Sequence, residues 1–169
     1  MFTLNEKVVY PGHGVAKVNR IIEKIISNKI TTFYELTFIH KDMTVLVPTE
    51  NLPSAGIRKV SSHENIEDVF KLLAEPSKKG NDLVVSNWNK RNKDYQIKLR
   101  SGNVFEISKI YRDLKSISQY KELSFGERNL LNQTETLLAE EISVVKNLGE
   151  EKALEHLRAL FKTAGQAYL

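Results

Sequence analysis

The residues best suited to do chemistry stand together in one stretch, Ser86-Asn87-Trp88-Asn89-Lys90-Arg91-Asn92-Lys93, which holds the only tryptophan of the 169-residue chain. Lys98 and Arg100 follow, making this the densest run of positive charge. An aromatic ring among cations suits a flat, anionic ligand, because the ring wedges between or stacks on planar groups while the cations hold phosphates. Nucleic acid has both features. A tryptophan packed into a core explains the same residue, since Trp is usually well buried. Residue types alone leave both readings open. Catalytic chemistry has little support: His13, His40, His63 and His156 are scattered, without metal-ligand spacing or a nearby nucleophile motif, and each reads as a surface histidine. Glu140-Glu141 and Glu150-Glu151 read as solvated charge on helix surfaces and at a helix start. Pro11-Gly12-His13-Gly14 reads as a turn, because no helical pattern follows the glycines as a phosphate loop requires. There is no P-loop, HExxH or GxSxG motif. The chain therefore reads as a binding protein, not an enzyme, and needs no cofactor.

The elements that must position the tryptophan follow from periodicity. Ser86 is a natural N-cap, so a helix is expected from there to Gly102, with Trp88 in its first turn and Tyr95 and Leu99 nearly beneath it. Arg91 and Asn92 are polar where a core-facing stripe would continue, so the stripe reads as broken just below Trp88. Upstream, residues 1–60 read as β structure: Lys7–Tyr10, Val15–Ile26, Ile30–Ile39 and Met43–Pro48 are runs of β-branched and aromatic residues between turn formers. Val45 and Val47 face one way, and Thr44, Leu46 and Pro48 the other. Pro48 marks an edge or a strand end, and an edge is also a rail on which another strand can dock.

Around residues 52–62 the texture changes to helical spacing, which places a domain boundary there and divides the chain into 1–60 and 61–169. Ser61 with Glu64 suggests a capping box before Ile66, Val69, Phe70 and Leu73. Residues 76–82 read as a loop. Val104, Ile107, Tyr111 and Leu114 line a third helix, and Ser124 with Glu127 opens a long fourth that runs until Gly149. Ala153, Leu154, Leu157, Phe161 and Ala164 mark a last one. The expected fold is α+β: an antiparallel β module followed by a compact five-helix domain.

Composition agrees with a globular chain, with 41% hydrophobic and 27% charged residues. The absence of cysteine excludes disulfides, thiolate metal sites and cysteine nucleophiles, and points to a reducing cytoplasm. No apolar run is long enough to span a bilayer, and the first seven residues lack the pattern of a signal peptide. Net charge is only +4, but its distribution is uneven. Residues 1–60 carry +3, 61–77 carry −3, 78–115 carry +6 and 116–169 carry −2, so the basic excess surrounds Trp88.

Seven strings, YPGHGV (10–15), MTVLVP (43–48), GIR (56–58), WNKR (88–91), SGNVFEI (101–107), RDL (112–114) and LSFGER (123–128), resemble the CarD/CdnL bacterial transcription regulators. The resemblance extends over nearly the whole chain. It implies a Tudor-like N-terminal module that binds the RNA polymerase β subunit and a helical C-terminal domain that contacts promoter DNA, with the protein cytoplasmic and drawn to the nucleoid by polymerase. It further implies that Trp88 wedges into the minor groove at the upstream edge of the melted promoter, with Lys90, Arg91 and Lys93 on the phosphates. The open complex would thereby be stabilised at promoters such as those of ribosomal RNA. Glu35, Leu36, Thr37, Thr44, Leu46 and Pro48 would supply the polymerase contact. Two positions depart from the family: Leu46 stands where some members carry arginine, and Asn92 replaces an aromatic common after the basic pair. A second reading, an RNA-binding or ribosome-associated module, follows from the use of Tudor-like barrels by RNA partners.

Overall fold

Five antiparallel strands form from the β-branched runs of the first sixty residues: β1 (Lys7–Tyr10), β2 (Gly14–Ile26), β3 (Lys29–Phe38), β4 (Thr44–Pro48) and β5 (Arg58–Lys59). The structure, a computed structural model, describes residues 1–75 and 87–166, with side chains as far as residue 161. It divides into two compact units, Met1–Val60 and Ser61–Leu169. The strands of the first are ordered β4-β3-β2-β1-β5. Ser27 (φ 50°) and Asn28 (φ 61°) are both left-handed and close the β2–β3 hairpin, the backbone that a two-residue turn between right-twisted strands requires. A register shift between Val18 and Arg20 lets β2 bend. Val8, Ala16, Val18, Tyr34, Leu36, Phe38, Val47 and Ile57 bury one face as a core. Beyond the reach of β1 the hairpin carries exposed Ile21, Ile25, Ile26 and Ile30.

Three short elements add to the expected strands, the first a 3-10 turn over Thr49–Asn51. After Pro48, α1 (Leu52–Ala55) ends at Gly56, whose φ of 72° reverses the chain so that Arg58 pairs with Val9. Four and two residues are too few to show a period, which is why α1 and β5 escape a reading by spacing.

The second unit holds α2 (His63–Ala74), α3 (Trp88–Ser101), α4 (Val104–Ser118), α5 (Phe125–Lys146) and α6 (Glu150–Gln166), five helices among the described residues. Some helix ends differ from expectation. The cap of α2 is Ser62, not Ser61. Ser61 instead gives its backbone N–H (2.9 Å) and hydroxyl (2.6 Å) to the Glu141 carboxylate. The cap of α3 is Asn87, whose side chain accepts from the Asn89 N–H at 2.9 Å. The expected cap Ser86 and the expected loop 76–82 lie outside the described residues. Asn147, left-handed at φ 53°, ends α5 before Gly149.

Glu140 and Glu141 are also corrected: both are buried, not solvated. The reason is the place of α5, which packs against α2, α4 and α6 and has no exposed residue from 137 to 146. Glu135 on the same helix is held by the Tyr111 hydroxyl (2.5 Å) and by Arg158 (2.7 Å). Of the histidines, His13, His63 and His156 are exposed and His40 is half-buried. Among the described residues no group could hold a metal ion and no helix is long and apolar enough to cross a membrane.

Candidate nucleic-acid interface

Trp88 is the first residue of α3, and its ring is half-buried where α3 meets the start of α5. The Ser124–Glu127 capping box begins α5 and sets Gly126 directly against the indole. A Cβ on Gly126 would stand 3.2 Å from Cζ2 and 3.3 Å from Nε1 of Trp88, so the close approach depends on glycine. The guanidinium of Arg91 stands 5.2 Å from the indole centroid and 5.8 Å from that of Tyr95. Tyr95 in turn meets Trp88 at 6.4 Å with the rings tilted by 56°.

Arg91 therefore does not break the stripe that Trp88, Tyr95 and Leu99 define; it lies within it. Its side chain is 8% exposed, and Nη2 is 3.6 Å from Oε2 of Glu127, a side chain only 1% exposed. A charge is tolerated there because it has a counter-charge and because a planar guanidinium stacks on aromatic faces. Glu127 also accepts from Lys121 (2.9 Å) and from the Ser124 backbone N–H (3.1 Å). Burial by itself would raise the Glu127 pKa, but the bonds from Lys121 and Ser124 outweigh it and hold the carboxyl below the usual range. Glu127 is thus an anion at neutral pH. Burial, reinforced by the Asp113 carboxylate 3.2 Å away, pushes the Tyr95 phenol far above its ordinary value, so it remains a hydroxyl.

Lys90 and Lys93 are exposed in the first two turns of α3. Arg100 is exposed further along, and Lys98 is tied to Asp94 at 3.2 Å. Phe125, adjoining Gly126, is 81% exposed, a second aromatic at this end of the unit that a reading by stripes passes over. The signal was present: the capping box makes Phe125 the first residue of α5, ahead of the core-facing Leu130 and Thr134.

In the first unit, β4 is the terminal strand of the sheet. Cross-strand pairing sets Glu35 opposite Leu46, Thr37 opposite Thr44 and Phe33 opposite Pro48. Leu46 and Thr44 are exposed, Glu35, Thr37 and Pro48 are half-buried, and Glu35 accepts from Arg20 at 2.5 Å. Leu36 does not join this surface. Its side chain is wholly buried in the core on the opposite face of β3, as alternation along a strand dictates.

Comparison with known proteins shows that residues 2–61 match the CarD-like/TRCF RID domain and residues 68–158 match the CarD C-terminal domain. The chain belongs to the CarD family. Over 152 residues it is 26% identical to "Putative transcription factor YdeB" of Bacillus subtilis (strain 168), covering 90% of this chain and 97% of that protein. Membership makes this a transcription regulator, and a five-stranded antiparallel sheet followed by helices fits the CarD-like α+β fold. The RID match contains the whole β4 edge, and the CarD C-terminal match contains the Trp88–Arg91–Glu127 cluster.

Proposed function

We propose that this CarD-family protein is a non-enzymatic regulator of transcription initiation that joins RNA polymerase to promoter DNA. The edge of β4 docks on a strand of the polymerase β subunit, using the surface of Glu35, Thr37, Thr44, Leu46 and Pro48. The tip of α3 meets DNA at the upstream edge of the melted region, with Trp88 against a base step and Lys90 and Lys93 on neighbouring phosphates. The observation that carries this reading is a half-buried tryptophan at a helix tip whose first two turns also carry two exposed lysines. Its partial burial supports it further, because a ring fixed on one side by Gly126 and Arg91 loses little freedom when the other side meets a base. A wedge that fits only melted DNA binds the open promoter better than the closed one and shifts the equilibrium toward it.

The test is the lifetime of the open complex formed by purified polymerase, with and without the protein. The protein should lengthen it, and the gain should disappear with Trp88→Ala while polymerase binding persists. No change in lifetime with the intact protein would defeat the proposal. Recovery of ribosomes instead of polymerase from a lysate would favour the RNA-binding alternative.

A further inference from the structure

We infer that Arg91 acts on the ring of Trp88 and not on a DNA phosphate: it is a positioning residue that holds the indole in the pose in which it meets DNA. This rests on the reading of Trp88 as the DNA-facing ring and departs from it in the role given to Arg91. Three observations carry it. The Arg91 side chain is 8% exposed, so its charge is largely withdrawn from the surface where phosphates would lie. Its guanidinium lies over two neighbouring aromatic rings, 5.2 Å from the centroid of Trp88 and 5.8 Å from that of Tyr95. Its charge is already opposed by the buried Glu127 carboxylate at 3.6 Å, which is itself fixed by Lys121 and the Ser124 backbone.

These contacts make a vice with two jaws. Gly126 bears on the indole at the Cζ2–Nε1 edge, and its lack of a side chain sets how close α5 comes. Arg91 bears on the indole from within α3, one turn after it. Glu127 adjoins Gly126 in sequence, so one turn of α5 supplies both the surface that the ring rests on and the anion that anchors the cation holding it. A lysine at 91 would keep the charge but lose the broad, planar guanidinium that lies over the ring.

Because Trp88 is the only tryptophan, its fluorescence in the full-length free protein reports the pose directly. Arg91→Lys and Arg91→Met should shift Trp88 emission to the red and increase quenching by neutral acrylamide. Both should cut the open-complex lifetime by the same factor as Trp88→Ala, about 5- to 150-fold if a full stacking contact is lost. Adding either change to Trp88→Ala should cause no further loss, as expected when one residue acts through the other. The salt slope of DNA binding should not change, whereas Lys93→Ala should lower it by about one unit. Gly126→Val alters no charge and pushes the ring from the other jaw, so it should reproduce the spectral shift and the loss of lifetime even if Arg91→Met fails to fold. A salt slope lowered by Arg91→Lys with unchanged fluorescence would make Arg91 a phosphate ligand and overturn the inference. So would a full lifetime in a variant whose ring has moved while Trp88→Ala still shortens it. If Trp88→Ala leaves the lifetime untouched, the wedge itself fails, and the fluorescence of the free protein still decides whether Arg91 holds the ring.

Discussion

At the scale of single residues, Trp88 and Gly126 replace a choice with a compromise: an aromatic was expected either in the core or projecting from a helix tip, and the indole does some of each. Trp88→Ala should therefore lower stability measurably in a denaturant titration, yet by less than the roughly 3–5 kcal/mol of an emptied core site. A loss at or above that range would make Trp88 a core residue and take the wedge away. Glu127 gives a second expectation. Its folded carboxyl titrates below the ordinary value of 4.5, so its stabilisation is fully present above that value and is lost as pH falls through the lower folded one. Glu135 is shifted the same way: burial opposes the shift, and the bonds from Arg158 and Tyr111 overcome it. Denaturant midpoints taken from about pH 6 to about pH 3 should fall, and Glu127→Gln should flatten part of that fall by removing the group that titrates. A midpoint that falls as steeply in Glu127→Gln as in the wild type would show that the Glu127 carboxyl does not contribute.

At the scale of elements, period was legible and contact was not. The alternation in Met43–Pro48 correctly separated Val47 from Leu46, because a strand with one face in a core has no other way to lie. The stripes of α2, α4 and α5 were equally plain. What spacing could not show was which polar residues have partners. Arg91 read as a break in the stripe and Glu140 and Glu141 as solvated, yet each is buried, as is Glu135, because burial of a charge depends on neighbours distant in sequence, such as Glu127 for Arg91 and Arg158 for Glu135. The β4 edge gives the prediction at this scale. Leu46→Glu places a carboxylate where the docked strand would exclude water, at a cost that should weaken polymerase capture severalfold or more. Leu46 is exposed and outside the core, so the thermal midpoint should hardly move. Full capture by Leu46→Glu would take the polymerase contact away from β4.

At the scale of the molecule, the charge that marks residues 78–115 is less available than its +6 suggests. Arg91 is engaged with Glu127, Lys98 with Asp94, and Lys109 with Glu106 at 3.1 Å, while Lys90, Lys93 and Arg100 are exposed. Among the described residues of this stretch the exposed cations can reach few phosphates, and each one neutralised adds about 0.9 to the slope of log affinity against log salt. DNA binding by the free protein should therefore be weak, tolerant of sequence and shallow in its salt dependence compared with proteins that make six to ten such contacts. Lys90→Ala and Lys93→Ala should each lower the slope by about one unit, measured by fluorescence anisotropy on a labelled duplex. A grip this slight fits a protein held at the promoter by its other unit: polymerase docking through β4 would raise the local concentration of α3 near DNA and supply the affinity that α3 lacks. Tight, salt-indifferent binding of one particular sequence by the free protein would contradict that division of labour, since α3 would then need no polymerase to find its site.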